Sequence, residues 1–273
     1  QPIHFIGVGG IGMSALAMIL AKRGYCISGS DQKSKSNLKN LSEQGINIFE
    51  GQIATNIQTI CRNSFIKPLI VISTAIPKDN PELKAAKEAN LKICHRSDIL
   101  AKLIQKQPSI VVAGSHGKTT TSTFITTLLA QANEDPTALI GGIVPCYNSN
   151  SHIGSGKLLI AEGDESDGSL VKLKSDLGII TNLELDHTDH YKDLSELINT
   201  MKIFGEKCKF LLANYDCPNL RKNIKASAWW SIETSENVDF AAIPIENNGQ
   251  QTIANIYEKG LKLGQITLPI PGL

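Results

Sequence analysis

Residues 109–121 read Ser-Ile-Val-Val-Ala-Gly-Ser-His-Gly-Lys-Thr-Thr-Thr, and the fold follows from how this stretch divides. Ile110–Ala113 is a short β-branched run and Thr119–Gln131 carries a helical pattern, with a glycine turn between them. Such a unit holds a phosphate chain when turn amides wrap phosphate oxygens, a lysine reaches the terminal phosphates and a hydroxyl meets Mg²⁺. Gly117, Lys118 and Thr119 supply the last glycine, the lysine and the hydroxyl; Gly114, Ser115, His116 and Thr120 complete the candidate ATP-binding turn. The spacing G-x-x-x-x-G-K-[ST] is not met in full, because Val112 stands five residues before Gly117. A chance Gly-Lys-Thr at a helix start is the bland alternative. The strand before, the helix after and the run of threonines favour ATP.

A second glycine turn lies upstream. Gly7-Val8-Gly9-Gly10-Ile11-Gly12 satisfies G-x-G-x-x-G directly after the strand candidate Ile3–Val8 and before the helix candidate Met13–Arg23. The helix start offers free N–H groups and a positive dipole end, worth about 0.3–2 kcal/mol for an anion. Asp31 ends the next strand, where a dinucleotide fold puts its ribose-binding carboxylate. Alone, this turn permits a nicotinamide enzyme. A diphosphate on a sugar nucleotide nevertheless looks the same to it as one on NAD. Two phosphate-binding turns on successive α/β units argue against a simple dehydrogenase, which needs one.

Between the turns, β-rich runs at Cys26–Gly29, Ile46–Phe49, Leu69–Thr74 and Lys92–Cys94 alternate with helical patterns at Asn37–Gln44, Pro81–Asn90 and Ser97–Gln105, the last expected to be capped by Ser97. Strands separated by helices predict parallel β-α-β units with ligands beyond the carboxyl ends of the strands. Gln105-Lys106-Gln107-Pro108 is a polar, proline-ended boundary. After it, Leu158–Ala161, Gly178–Thr181 and Phe210–Ala213 read as buried parallel strands, with helix Ser195–Lys207 before the last. Val238–Ile245, Thr252–Tyr257 and Leu261–Leu268 then alternate around Asn-Gly and Lys-Gly hairpin signals. Trp229 and Trp230 are adjacent, so one is expected in the core and the other partly exposed. The predicted class is α/β: an N-terminal Rossmann-like parallel-sheet domain over residues 1–106, then a P-loop ATPase-like α/β domain over residues 107–273 with an antiparallel β appendage.

Two acidic stretches follow strand candidates. Leu158–Ala161 runs into Glu162-Gly-Asp-Glu-Ser-Asp167, and the strand-end position of Glu162 lifts it above Asp164, Glu165 and Asp167 as a Mg²⁺ neighbour. Gly178–Thr181 leads into Asn182-Leu-Glu-Leu-Asp186-His187-Thr-Asp189-His190. His187 is preferred as a metal or phosphate neighbour, although the two histidines and two aspartates also permit a zinc reading.

Charge and cysteines narrow the classes. Among 273 residues, Lys+Arg 27 against Asp+Glu 26 leaves +1, so no global basic field exists to hold a nucleic acid. The 6 cysteines are scattered without C-x-x-C pairs, which fits reduced thiols in a cytoplasmic protein. The apolar segment Ile3–Leu20 carries four glycines and no basic residues before it, which argues against a signal or membrane helix. The chain opens at Gln1 rather than Met, so a few residues are expected before it.

Taken together, Gly7–Ala15 (GVGGIGMSA), Ser73–Ile76 (STAI), Gly114–Thr121 (GSHGKTTT), Glu162–Asp167 (EGDESD) and Asn182–Asp189 (NLELDHTD) resemble the Mur ligases across nearly the whole chain. The family often has Thr where Ser115 stands and Ala where Gly163 stands, small changes that leave the proposed ligands in place. The resemblance implies a cytoplasmic, ATP-dependent C–N ligase of peptidoglycan precursor synthesis. ATP would phosphorylate the carboxylate of UDP-N-acetylmuramate, and the amine of L-alanine would attack the acyl phosphate. Carried over by match, Lys118 would contact the β- and γ-phosphates, Thr119 would hold one Mg²⁺, and Glu162 and His187 would serve a second ion near the acyl phosphate. By the same match, Lys118, Glu162, His187 and Asn182 would form the catalytic set. Gly9, Gly10, Ile11 and Gly12 would hold the UDP diphosphate, and Asp31, Ser73, Thr74 and Ala75 would lie toward the uridine end.

The family's third domain is expected to be missing, since the Pro-Gly ending falls where it would begin; such a chain would bind the UDP-sugar and ligate poorly. Two alternatives stand beside this reading. A muropeptide-recycling ligase joins a tripeptide instead, but its acidic motif usually has Tyr where Ser166 stands. A NAD-dependent oxidoreductase leaves GSHGKTTT unexplained.

Overall fold

The computed structural model describes residues 1–32, 36–147, 149–185 and 191–269. In chain order the first elements are β1 (Ile3–Ile6), α1 (Ile11–Lys22), β2 (Ile27–Asp31), α2 (Ser36–Glu43), β3 (Asn47–Glu50), α3 (Ala54–Arg62), β4 (Leu69–Ile72), α4 (Pro81–Glu88), β5 (Lys92–His95) and α5 (Arg96–Gln105). Next come β6 (Ser109–Ala113), α6 (Lys118–Gln131), β7 (Thr137–Val144), β8 (Ser149–His152), β9 (Leu159–Glu162) and β10 (Leu177–Ile180). The remainder is α7 (Leu194–Lys207), β11 (Phe210–Asn214), α8 (Pro218–Asn223), β12 (Ala228–Ser231), β13 (Phe240–Asn247), β14 (Thr252–Glu258) and β15 (Leu261–Leu268). Two compact units result: Gln1–Gln107 with Thr123–Ala161, and Pro108–Ser122 with Glu162–Leu273. The first segment of unit 1 ends at the polar stretch read as a boundary. Thr123–Ala161 join that unit because α1 packs against β7 and β8.

In unit 1, five strands run β3-β2-β1-β4-β5, all parallel. This is the doubly wound order, whose ligand crevice lies where the chain reverses direction from β1. The carboxyl ends of β1, β2 and β4 therefore bring the glycine turn, Asp31 and Ser73–Ala75 to one edge. α1 buries Met13, Ala15, Leu16, Ala17, Ile19 and Leu20, which lie all round the helix, so it is covered on more than one side. On another face, Ile6 and Ile70 of the sheet pack with Ile57 of α3 and Leu83 and Ala86 of α4. β7 pairs parallel with β9 and antiparallel with β8.

In unit 2 the strands run β15-β14-β13-β12-β11-β10-β6. They are parallel from β6 to β13 and antiparallel from β13 to β15. The expected α/β architecture with an antiparallel appendage is thus observed. Three details differ from expectation. Helix α5 is capped not by Ser97 but by His95, because the Asp98 carboxylate reaches back to the His95 N–H at 2.9 Å while His95 Nδ1 accepts from Ser97 N–H at 3.3 Å. Trp229 and Trp230 are both half-buried on β12, Trp229 meeting the Tyr215 ring edge-on at 5.9 Å. Helices α3 and α8 and strands β7, β8 and β12 add to the expected elements.

Under α4 lies a polar cluster closed to solvent. His4 and Glu82 are both fully buried and 2.9 Å apart. Ser30 Oγ and Asn56 Nδ2 also donate to the Glu82 carboxylate, and His4 Nδ1 meets Ser28 Oγ at 2.8 Å. Glu82→Ala would strand these partners in an apolar layer. The expected cost is about 3–5 kcal/mol, read as a fall in the urea midpoint.

At the surface, the Asp135 carboxylate accepts from Ser155 N–H at 2.7 Å and Ser155 Oγ at 2.9 Å, and pairs with His152 Nε2 at 2.7 Å. The Ser155 amide bond first, then the His152 contact, lowers its pKa from 3.8 to about 2. Because the folded value lies below the unfolded one, this stabilisation is complete above about pH 4 and lost as pH falls toward 2. Asp135→Asn should therefore be less stable than the parent near neutrality, with the difference shrinking between pH 4 and 2 in acid-unfolding curves.

Candidate functional site

The site in unit 2 is built where β6 ends. Gly114 has φ 131°, and a Cβ on it would overlap Thr181 Oγ1 and lie 3.1 Å from the Asn182 backbone, so only glycine fits. The close approach exists because the end of β10 clasps the turn. Thr181 Oγ1 donates to His116 O at 2.6 Å. Asn182 binds His116 twice: its Oδ1 accepts from His116 N–H at 2.8 Å and its Nδ2 donates to His116 O at 3.0 Å. Ser115 Oγ donates to Glu184 O at 2.7 Å and accepts from Glu184 N–H at 3.0 Å. The first intrahelical bond of α6 is Thr121 N–H to Gly117 O at 2.9 Å. The amides of Lys118, Thr119 and Thr120 thus fall in the first turn, where no intrahelical acceptor exists.

The acidic strand end meets this helix start. Thr119 Oγ1 donates to Glu162 Oε2 at 3.1 Å, and Ser122 Oγ to Glu162 Oε1 at 3.1 Å. Lys118 Nζ donates to Gly114 O at 2.7 Å, Ser115 O at 3.1 Å and Glu165 Oε1 at 2.7 Å. The Glu165 side chain is 1% exposed. Burial pushes its carboxyl pKa up, against the Lys118 ammonium, which pulls it down. Tyr191 fixes the Glu165 backbone by donating its hydroxyl to the carbonyl at 2.6 Å.

The structure places Gly114–Thr120, Glu162 and Asn182 side by side. His187 lies in 186–190, outside the described residues, and the zinc alternative falls there too. Among the described residues, no group of three His, Cys, Asp or Glu side chains could hold a metal. Thr119 and Glu162 do supply two hard oxygen donors beside the loop. That suits Mg²⁺, which takes few protein ligands and fills its shell with phosphate oxygens and water.

In unit 1 the upstream turn is tied to the end of β2. Gly7 and Val8 N–H donate to Ser30 O at 2.8 and 2.9 Å, and Gly9 N–H to Asp31 Oδ2 at 2.9 Å. Ile76 follows Ser73–Ala75 and stands 2.9 Å from where a Gly7 Cβ would be, so that segment borders the turn. Gly10 caps α1, leaving Ile11, Gly12 and Met13 as first-turn amides without intrahelical acceptors. Sequence reasoning passed over the β8 residue Asn150, whose Nδ2 donates to Ile11 O at 3.3 Å. A cleft of about 500 Å³ opens beside it, lined in part by Ile11, Ser14, Asn40, Gly142, Ser149 and Asn150. Glu165 was equally unmarked among its acidic neighbours.

The chain has an α/β fold, with two glycine turns that each join a strand to a helix, one of them carrying Lys118 at the helix start. Models of the Mur ligase family match it in two parts, the catalytic domain over residues 2–108 and the middle domain over residues 112–273. The chain belongs to the Mur ligase family. A UDP-N-acetylmuramate–L-alanine ligase of Prochlorococcus marinus (strain MIT 9303) is 67% identical over 273 residues, covering 100% of this chain and 56% of the relative. The chain thus spans a little over half the length of the curated relatives it matches. Among solved structures, a Neisseria meningitides UDP-N-acetylmuramate:L-alanyl-γ-D-glutamyl-meso-diaminopimelate ligase superposes with TM-score 0.86 at 22% identity, over 100% of this chain and 88% of that one. The Thermotoga maritima UDP-N-acetylmuramate–alanine ligase gives 0.83 at 23%, over 100% and 61%. At these identities the two structures speak to the fold.

The Asn182 clasp supplies a test of how the loop is held. Asn182→Ala removes two hydrogen bonds to His116, each worth about 0.5–1.5 kcal/mol. The loss should appear as a fall in the urea midpoint equivalent to about 1–3 kcal/mol, and an unchanged midpoint would show that the loop holds its shape without the clasp.

Proposed function

We propose that this chain is the UDP-sugar- and ATP-binding part of a cytoplasmic ligase that joins L-alanine to UDP-N-acetylmuramate. Residues 1–106 would form the sugar-nucleotide domain and residues 107–273 the ATP domain, a division that the two family matches support. The observation carrying the reaction class is the pairing of Thr119 with Glu162 next to a loop-bound Lys118. The amino acid is suggested by relatives 56–67% identical, which are named as alanine ligases, so the tripeptide and oxidoreductase readings are not favoured.

The chemistry fits these parts. A carboxylate does not react with an amine until one of its oxygens becomes a good leaving group. Transfer of the γ-phosphoryl group to the sugar's carboxylate makes that leaving group, and the amine then displaces phosphate. Lys118 and the first-turn amides of α6 would hold the phosphate chain and offset charge that shifts during transfer. Thr119 and Glu162 would hold Mg²⁺, which when bound neutralises phosphate charge. The first-turn amides of α1 would take the UDP diphosphate, with Asn150 beside them.

Lys118→Ala should weaken ATP binding by about ten- to a hundred-fold, the scale of a charge-assisted hydrogen bond, and leave UDP-N-acetylmuramate binding unchanged. Parallel calorimetric titrations with the two ligands and with NADH check this. Tight NADH binding without a UDP-sugar response would overturn the ligase reading.

A further inference from the structure

Lys118 has three ammonium N–H donors, and the structure shows three protein acceptors for them: the Gly114 and Ser115 carbonyls and Glu165 Oε1. A phosphate oxygen can reach this ammonium at full strength only by displacing one of the three. The two carbonyls are part of a turn held by Thr181, Asn182 and Glu184. The remaining acceptor is a side chain on rotatable bonds, and it carries the same sign of charge as a phosphate oxygen. It is also screened from water, at 1% exposure, so its attraction for Lys118 is little weakened by solvent.

We infer that Glu165 is a positioning residue: its carboxylate holds the Lys118 ammonium against the loop and competes with the phosphate chain of ATP for it. The inference rests on the reading of Gly114–Thr120 as the ATP loop and assigns a role to a residue outside that loop. Glu165 sets how tightly the loop grips phosphate, and it keeps the lysine aligned along the turn. Removing the carboxylate charge frees the lysine for phosphate and lifts a like charge from beside it. A residue that only supported the fold would, on substitution, weaken nucleotide binding. Glu165 differs in the sign of the effect.

The test is calorimetric titration of this chain with ATP, with inorganic tripolyphosphate and with UDP-N-acetylmuramate, for the parent, Glu165→Gln and Glu165→Asp. The glutamine variant is expected to bind ATP and tripolyphosphate about ten-fold more tightly, the scale of one charge-assisted hydrogen bond, with UDP-N-acetylmuramate affinity unchanged. The aspartate variant keeps the charge but draws it back by one methylene, and it should shift affinity the same way by less. If the glutamine variant does not fold, as judged by its melting curve, the aspartate variant decides. Unchanged or weaker ATP binding in the folded variant overturns the role of Glu165 while leaving the ATP site in place. A parent chain that binds the UDP-sugar but neither ATP nor tripolyphosphate overturns the loop assignment and this inference together.

Discussion

A loop that leaves its first helical amides without intrahelical acceptors cannot also use them to hold its own shape. In unit 2 the shape is imposed from outside, by the end of β10. Thr181 and Asn182 secure both backbone groups of His116, while the Ser115 hydroxyl bridges the Glu184 carbonyl and amide. The glycine at 114 is the local counterpart of that grip, since any side chain there would collide with Thr181. The parallel register of β6 with β10, Ala113 opposite Ile180, sets these residues side by side. The start of α6 and the reach of Lys118 follow from it.

Charge within the site is arranged as opposed pairs. Glu162 receives two hydroxyls from the first turns of α6, and Glu165 receives the Lys118 ammonium. The two carboxylates lie three positions apart yet have different surroundings: Glu165 is almost wholly enclosed, whereas Glu162 is only partly so. Their proximity in sequence hides a difference in chemistry. An enclosed carboxylate beside an ammonium interacts strongly because water does not intervene. A partly open one beside hydroxyls is suited to a hydrated cation.

The parts legible in the sequence are those whose cause is local. Buried parallel strands such as Leu69–Ile72 and Ser109–Ala113 announce themselves as β-branched runs, and both glycine turns sit between such a run and a helix. The clasp was only half legible: Asn182 drew notice by its motif, but its partner His116 is 66 residues away, and no pattern in one dimension pairs them. Glu165 was lost among Asp164 and Asp167 because its burial comes from the fold around it. Strands β7, β8 and β12 are short or mixed in character, and α3 buries only Asn56, Ile57 and Ile60, so periodicity gave them little signal. The cap of α5 went to His95 because a carboxylate three residues on completes it, a reciprocal arrangement that a single residue type does not reveal.

The upstream turn has a consequence for molecular discrimination. Its first three amides are committed to Ser30 and Asp31, so what it can extend to a guest is the rim of α1 alone. Those donors sense negative charge and little else. They cannot tell uracil from adenine or one sugar from another. Were the turn to take a diphosphate, selectivity among such guests would have to be written in side chains around the rim.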